Sequence, residues 1–250
     1  MNKYVKLIEK NEIIFKNKID NTQLTITHFD KSDTYDAPII NKNYDLDFID
    51  FVIKELKRTN DIVSVMTLYD NYNLENMLVE NGFRSIITEY IIDYNDYNDI
   101  TKYETSNDLN KESKEYYLNM LNRFSRINQS VFYPNEEYKE YNDDSFHWDN
   151  GYIYKIYKQD GKIVGMVDYI IFEKKEELKE KESYNNYNGK LCIRGLFSDK
   201  KDILEDIIKD LLNEYKKDIV INVSSIDDDL NDIVNKLNGK FKYRIYDLKK

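Results

Sequence analysis

Residues 201–250 read KDILEDIIKDLLNEYKKDIVINVSSIDDDLNDIVNKLNGKFKYRIYDLKK, and residues 45–94 read DLDFIDFVIKELKRTNDIVSVMTLYDNYNLENMLVENGFRSIITEYIIDY. Both contain an amphipathic helix, an apolar strand (residues 220–223 and 62–65), a short helix, a glycine and a strand with aromatic residues. Apolar residues in the two first helices recur at i, i+3, i+4 and i+7, which places them on one helical face. They are Ile49, Val52, Ile53 and Leu56 in the earlier segment and Leu204, Ile207, Ile208 and Leu211 in the later one. We therefore predict two copies of one α/β unit in a single chain.

The composition limits the class of protein and its partners. A chain of 250 residues is long enough for one large domain or two ordinary ones. The formal net charge of −10 argues against a nucleic acid or an anionic membrane as partner, because both bind clustered Lys and Arg. The start, MNKYVKLIEKNE, has no signal-peptide core, and no apolar run reaches the ~18 residues of a membrane helix. We expect a cytoplasmic protein.

Cysteine and histidine usage excludes two kinds of site. The single cysteine, Cys192, rules out a disulfide within the chain. His28, His147 and Cys192 show no metal-ligand spacing, so no metal site is predicted. The seven glycines form no G-x-G pair, which excludes a dinucleotide or P-loop fingerprint.

The remaining chain alternates between predicted strands and helices. A hairpin is predicted over residues 4–19, followed by β-type stretches at residues 22–29 and at residues 37–40 around Pro38. The polar residues 95–107 are interpreted as the seam between the two units, which gives domains at 1–100 and 101–250.

The second predicted unit begins with a helix. This helix covers residues 111–124, and residues 126–150 are predicted to be irregular, as in a binding loop. Strands at residues 151–157 and 162–172 are joined at Asp160-Gly161, a strong hairpin signal. A charged excursion at residues 174–188 and a strand at residues 191–197 follow. This alternation predicts a fold of the broad α/β class. More closely, we expect an α+β arrangement with a mixed sheet and helices on its faces.

From about residue 110 the order is helix, β-hairpin, strand, helix, strand, helix, strand, and it resembles the GNAT superfamily of N-acetyltransferases. Gly161-Lys162-Ile163-Val164-Gly165 resembles the turn into the third strand of that family, and residues 191–198 stand at its central fourth strand. Asn71, Leu74 and Leu78 ahead of Gly82-Phe83 resemble a second family pattern in the earlier copy. The resemblance implies two tandem GNAT-like units, of which the N-terminal one is partial.

The same resemblance implies an activity and a cofactor. The function it implies is transfer of an acetyl group from acetyl-CoA to the amine of a small molecule or a peptide. In such enzymes a deprotonated amine attacks the thioester directly while backbone N–H groups polarise the carbonyl. It places Leu196, Phe197 and Ser198 along the thioester, and Lys200 and Lys201 near the phosphates.

The sequence also departs from the family pattern. The family binds the pyrophosphate with R/Q-x-x-G-x-G/A at a helix start, where glycines let backbone N–H groups approach the anion. Residues 198–206 read SDKKDILED, without glycine and with three Asp and one Glu, and residues 41–50 of the other copy also lack glycine. In the family a tyrosine often protonates the departing thiolate. Its position is occupied by Leu78 in one copy and by about Asn235 in the other. A second hypothesis therefore stays open: a catalytically inactive GNAT-like scaffold that binds a ligand or a protein partner through residues 126–150.

Five residues are candidates for the rest of a site. Asp168 and Glu173 are carboxylates that could act as a base towards an amine, or simply face solvent. Arg194 interrupts an apolar strand and could pair with a buried acid or a ligand carboxylate, or point away from the core. His147 and Trp148 could contact a ligand, although a lone Trp in a loop often fills a gap in the core. For Lys200 and Lys201 the alternative is a solvated helix start capped by Ser198 or Asp199.

Overall fold

The computed structural model describes residues 3–9, 12–27, 37–59, 64–97, 102–148, 151–173 and 187–248. They form an α+β fold, as predicted, in which the chain divides into two compact units. One unit is Met1–Thr88 with Phe241–Lys250, and the other is Glu89–Lys240. The boundaries of these compact units differ from the predicted domains at 1–100 and 101–250. The predicted domains describe the extent of the two copies of the repeat, and they stay a prediction.

The first unit contains two groups of strands. Strands β1 (Tyr4–Glu9), β2 (Glu12–Asn17) and β3 (Gln23–Thr27) form an antiparallel sheet. The predicted N-terminal hairpin is thus confirmed, although its Lys10-Asn11 turn lies outside the described residues. The other elements are β4 (Ile39–Ile40), α1 (Leu46–Thr59), β5 (Ser64–Thr67), α2 (Tyr72–Glu80) and the first part of β6 (Phe83–Ile92).

The last strand of the chain, β12 (Lys240–Leu248), contributes most of its residues to the first unit. It pairs antiparallel with β5, which itself runs parallel to β4. The apolar face of α1 closes the core of this unit, with Phe48, Ile49, Val52, Ile53 and Leu56 all buried. Asp45 caps α1, because its Oδ1 accepts from the backbone N–H of Phe48 at 2.7 Å.

The second unit contains the end of β6 and five further strands. Its elements after β6 are β7 (Glu104–Ser106), α3 (Lys111–Phe132), β8 (Ile153–Gln159), β9 (Lys162–Ile171), β10 (Leu191–Phe197), α4 (Lys201–Tyr215), β11 (Ile219–Ser224) and α5 (Asp228–Lys236). The strands lie in the order β11-β10-β9-β8-β7, with β10 and β11 parallel and the other pairs antiparallel.

The two faces of this sheet carry different helices. Buried residues of α4 and α5, such as Ile207, Leu211 and Ile233, pack with one set of alternating strand residues. Tyr117 and Met120 of α3 pack with the other set, which includes Tyr154 and Phe197. Since the two helical layers meet opposite faces, the side chains of α3 and those of α4 are directed at different sides of β9 and β10.

The order helix, hairpin, strand, helix, strand, helix, strand predicted from residue 110 onward is confirmed. At the hairpin between β8 and β9, Asp160 and Gly161 have φ of 52° and 73°, as a type I′ turn requires. The order strand, helix, strand, helix, strand also occurs in both halves of the chain, with β5 and β11 each parallel to the strand before the intervening helix. That the halves are copies of one unit stays a prediction.

Three boundaries differ from the predictions. Helix α3 continues to Phe132, so residues 126–132 are helical and the irregular stretch begins at Tyr133. The extension is anchored by a contact that the local sequence does not show, in which Ser224 Oγ lies 2.6 Å from Asn128 Oδ1. Strand β7 lies within the polar seam, and the predicted strand at residues 62–65 is found at Ser64–Thr67. Most of the predicted excursion at 174–188 lies outside the described residues, as does His28.

No helix among the described residues is long and apolar enough to cross a membrane.

The matched helix faces can be compared by mutation. Leu56 and Leu211, which correspond in the two sequence segments, are both completely buried. Replacing either by Ala removes apolar contacts and leaves a cavity, so each variant should lose about 2–5 kcal/mol of unfolding free energy in urea titrations. Val79→Ala is the control, because this side chain is 55% exposed and its truncation should change little. A loss below about 1 kcal/mol at either leucine would contradict the equivalent core roles of α1 and α4.

Candidate functional site

The central strands of the second unit diverge. Strand β10 pairs with β11 through Leu191–Ile219, Cys192–Val220 and Ile193–Ile221, yet β10 continues to Phe197 and β11 to Ser224. On its other edge, β10 has a register shift between Ile193 and Gly195 against β9. Such a bulge bends a strand and redirects its side chains. Arg194 lies at this bulge, directly after the last residue of β10 that pairs with β11.

Gly195 is required at this bend because its neighbours leave no room for a side chain. A Cβ at this position would lie 2.3 Å from Asp168 Oδ1 and 2.8 Å from Phe197 Cε2. The backbone of β10 therefore approaches the Asp168 carboxylate as closely as only glycine permits.

A buried polar network fills this position. The Asp168 carboxylate is completely buried and accepts from Tyr117 Oη at 2.7 Å and from Arg194 Nε. Arg194 Nη2 also lies 3.2 Å from Tyr154 Oη and 3.4 Å from Tyr117 Oη. The Arg194 guanidinium stacks on the Tyr152 ring, 4.1 Å from its centroid. Of the alternatives left open for Arg194, the structure shows pairing with a buried acid, which is Asp168.

The network keeps its charges through mutual support. Burial raises the pKa of the Asp168 carboxyl, and the charge of Arg194 and the hydrogen bond from Tyr117 oppose that rise. Burial would lower the pKa of Arg194, but the adjacent Asp168 outweighs it and raises the pKa. Burial, with the neighbouring carboxylate, raises the pKa of Tyr117, so this phenol is a donor at neutral pH. Asp168 is thus occupied in orienting Arg194.

A cavity of about 210 Å³ adjoins Arg194. Its polar and charged lining comes from Glu89 on β6, Arg194 and Cys192 on β10, and Asn222 on β11. Glu89 is only 4% exposed, and its Oε2 accepts from Tyr187 Oη at 3.0 Å. The rest of the lining is aromatic or aliphatic: Tyr152, Ile170, Phe172, Tyr187, Ile193 and Val220. The cavity therefore combines one buried carboxylate, one guanidinium and an apolar wall.

Trp148 lies in an aromatic cluster beside this network. Its ring centroid is 5.5 Å from that of Tyr117 and 5.6 Å from that of Tyr154, and Nε1 donates to Asp143 at 2.6 Å. Lys114 Nζ is 5.1 Å from the ring centroid. Trp148, Lys114 and Tyr154 also line a second cavity of about 410 Å³. Trp148 thus packs against the core side chains and lines a cavity at the same time, while His147 is exposed.

The residues that the resemblance assigned to the cofactor lie after the bulge. Leu196, Phe197 and Ser198 are buried at the end of β10. Lys200 is exposed, whereas Lys201 Nζ is 2.7 Å from Asp232 Oδ2 and 3.5 Å from Asp229 Oδ1 on α5.

The start of α4 is not capped by Ser198 or Asp199 as expected. The cap position is Lys200, without a side-chain cap, and Ser198 Oγ accepts from the Lys200 N–H at 3.1 Å. Among the five helices of the described residues, the other four have an Asp or Asn cap: Asp45, Asn71, Asn110 and Asp227.

The remaining candidates are placed apart from the cavity lining. Glu173 follows β9 and is exposed. Among the described residues, no group of three or more His, Cys, Asp or Glu side chains could hold a metal ion.

Sequence reasoning missed Glu89, Tyr117 and Asn222. Glu89 could have been found by the criterion that identified Arg194, since it is a charged residue within the apolar strand segment IITEYII. For Tyr117 no such signal exists. The chain has many tyrosines, and the position of this one on an amphipathic helix does not indicate which group its hydroxyl binds.

No protein-family model matches the sequence, and no curated protein matches it significantly. Among solved structures, a GNAT-family acetyltransferase from Colwellia psychrerythraea is similar over 96% of this chain and 86% of its own, with 8% identity and a TM-score of 0.49.

Two further structures are similar over 98% of this chain. In a GCN5-related N-acetyltransferase from Sphaerobacter thermophilus, the similarity covers 82% of that protein's chain at 8% identity, with a TM-score of 0.44. In a conserved protein of unknown function from Staphylococcus epidermidis, the similarity covers 94% of that protein's chain at 11% identity, with a TM-score of 0.42. At these identities the similarities assign neither an activity nor a substrate to this chain.

The buried ion pair can be tested by an isosteric change. Asp168→Asn leaves Arg194 without its counter-charge, so the variant should lose about 1–3 kcal/mol of unfolding free energy in urea titrations. Glu173→Gln removes the same charge from an exposed position on the chain just after β9 and should change stability by less than about 0.5 kcal/mol. Equal stability of Asp168→Asn and the unmodified protein would contradict the central role of this pair.

The Cys192 thiol should react slowly. Burial raises its pKa to about 12, with a further contribution from the nearby Glu89 charge. Because the thiolate is the reactive form, alkylation at pH 8 should be roughly a thousandfold slower than in the unfolded chain. The rate should also keep rising about tenfold per pH unit from pH 8 to pH 10, where a free thiol with a pKa of about 8.5 levels off. Iodoacetamide labelling followed by mass spectrometry measures both rates, and a plateau near pH 9 in the folded protein would contradict the raised pKa.

Proposed function

We propose that the second unit transfers an acetyl group from acetyl-CoA to an amine. The observation that carries this proposal is the divergence of β10 from β11 at the Arg194 bulge, next to a cavity with a buried carboxylate. The opening leaves peptide groups of β10 without a neighbouring strand on one edge. The proposal gives these groups, and that carboxylate, a chemical role.

The β10 backbone would act on the acetyl donor. When bound, acetyl-CoA supplies a thioester whose C–S bond breaks as the C–N bond to the amine forms, and the proton lost by the amine balances the departing thiolate. Peptide N–H groups at residues 194–197 that face away from β9 would polarise the thioester carbonyl. They cost no reorganisation, because β9 and the Asp168 network already fix this segment.

Glu89 is the best-placed proton acceptor. An amine must lose a proton before it can attack, and a carboxylate within reach of the nitrogen can take it. Asp168 is engaged by Arg194 and Tyr117, and Glu173 is exposed, whereas Glu89 is buried in the cavity wall. We therefore assign this role to Glu89 instead of Asp168 or Glu173, and the positioning of Arg194 to Asp168.

The phosphate end of the cofactor fits this chain less well. In favour of binding, α4 begins without a side-chain cap, so its first N–H groups and the exposed Lys200 can meet an anion. Against it, residues 198–206 contain no glycine, Asp202 lies in the first turn, and Lys201 is held by Asp229 and Asp232. Most donor affinity would thus come from contacts along β10.

The acidic start of α4 favours a second function. A chain that lost its phosphate-binding loop could keep the cavity and bind a ligand or a protein partner without catalysis. The two functions differ in one measurable property, which is whether CoA binds.

Thermal unfolding with acetyl-CoA and CoA tests the first function. A ligand that binds only the folded state at about 100 times its dissociation constant adds about 2.7 kcal/mol, or several degrees in Tm for a chain of this size. We expect such a shift at millimolar concentrations, together with release of CoA thiol when an amine is added. An unchanged Tm with both ligands would favour the non-catalytic scaffold.

A single variant separates anion binding from folding. Lys200→Asp supplies the missing cap of α4 and should leave the protein as stable or more stable. It also adds a negative charge where the phosphates would dock, so the Tm shift with CoA should become smaller. Lys111→Asp, the same charge change at the start of α3, is the matched control and should keep the shift. An undiminished shift in Lys200→Asp would remove the α4 start from the site.

A further inference from the structure

The cavity beside Arg194 is too small for a nucleotide cofactor and suits a small molecule. Its volume of about 210 Å³ is below the roughly 300–1,000 Å³ of pockets for drug-sized ligands. Its charged groups, Glu89 and Arg194, come from β6 and β10, which have β11 between them. Two strand spacings separate these backbones by about 10 Å. Because strand side chains stand roughly perpendicular to the sheet, the two charged groups are separated by a distance of the same order.

Arg194 is fixed in a way that leaves one end for a ligand. Asp168 binds its Nε, the hydroxyls of Tyr117 and Tyr154 lie near Nη2, and the Tyr152 ring covers its plane. The Nη1 group has no protein partner within the described part of the chain. Since the side chain is 34% exposed and lines the cavity, a carboxylate of a ligand can bind there without displacing the Asp168 pair.

Glu89 supplies the opposite charge. Its carboxylate is nearly fully buried, and a buried carboxylate is stabilised by a cation or a strong donor. Tyr187 donates to Oε2, and a carboxylate has further lone pairs that can accept from an ammonium group. Between the two charges the wall is formed by apolar and aromatic side chains, including Phe172 and Val220.

We infer that this cavity binds a small α-amino acid with an apolar or aromatic side chain, its carboxylate on Arg194 and its ammonium group on Glu89. A peptide amine fits less well, because it has no carboxylate near its nitrogen and continues into a chain that the small cavity does not accommodate. That the bound amino acid is the acetyl acceptor rests on the proposed function, whereas its binding does not.

Isothermal titration of the full chain, without any CoA, tests the binding. The probes are L-phenylalanine, L-phenylalaninamide, which lacks the carboxylate, and 3-phenylpropanoate, which lacks the ammonium group. The ligand's carboxylate binds Arg194 and its ammonium group binds Glu89, so each analogue loses one of these two contacts. Both analogues should therefore bind at least about tenfold more weakly than L-phenylalanine. L-Leucine, with an aliphatic side chain, should bind within about tenfold of L-phenylalanine.

Two variants assign the contacts. Glu89→Gln should weaken L-phenylalanine about tenfold or more but should not weaken 3-phenylpropanoate, because the latter has no ammonium group. Arg194→Lys keeps a positive partner for Asp168 but loses the second N–H group, so it should weaken L-phenylalanine and 3-phenylpropanoate alike. Glu173→Gln is the matched control and should bind all probes as the unmodified protein does.

The titrations also have outcomes that overturn the inference. Equal or tighter binding of L-phenylalaninamide would point to a peptide or simple amine, and no binding of either amino acid would exclude the assignment. If a variant does not fold, the ligand series on the unmodified protein decides the question.

Failure of the inference is distinguishable from failure of the proposed function. Binding of L-phenylalanine without any effect of acetyl-CoA would keep the amino-acid site and remove the acetyl transfer. Acetylation confined to amines without a carboxylate would keep the transfer and remove the amino-acid site.

Discussion

The buried carboxylate of Asp168 is the constraint on which the second unit depends. A carboxylate that is completely removed from water is costly unless it is paired and hydrogen-bonded, and here it is held by Arg194 and Tyr117. The three side chains belong to β9, β10 and α3, so satisfying one charge fixes three elements relative to one another. The absence of a side chain at Gly195 lets the β10 backbone come close enough for this arrangement.

The opening in the sheet lies beside the same pair. If Arg194 faced the helix α4 side it would enter an apolar core formed by residues such as Ile207 and Leu211. Because Ile193 packs on the α4 side, alternation along β10 places Arg194 on the opposite face with Asp168, and pairing with β11 ends at the same place. The polar contact, the bulge, the strand divergence and the cavity therefore lie together at one position of β10.

The sequence predicted the order of elements because that order depends on short-range signals. The periodicity of Leu204 to Leu211, the Asp160-Gly161 turn and the β-type run at β10 each specify their own element, and all three are present. The end of α3 could not be predicted, since it depends on the contact of Asn128 with Ser224 from a distant strand. The choice of Lys200 as the cap residue depends in the same way on Ser198, whose hydroxyl donates to Val164 O at 2.8 Å instead of capping the helix.

The candidate site was predicted only in part, for a related reason. A charge inside an apolar strand indicates a buried pair or a ligand contact, and Arg194 forms such a pair, with Asp168. It does not indicate which carboxylate is consumed by the fold and which faces a cavity, because that depends on tertiary neighbours. Tyr117 and Arg194 bind Asp168, whereas Glu89 lies in the cavity wall, where it accepts from Tyr187.

If the proposed function holds, the chain offers more binding groups to the amine than to the phosphates of acetyl-CoA. The amine side has a preformed cavity with a buried acid and a fixed guanidinium, both held by protein hydrogen bonds. The phosphate side has an uncapped helix start, whose positive end is offset by Asp202 and by carboxylates that engage Lys201. Binding energy that the phosphates do not provide must come from the acyl end, where peptide groups of β10 meet the reacting carbonyl. Interactions at that end differ between ground state and transition state, so they contribute to the rate of acetyl transfer and not only to affinity.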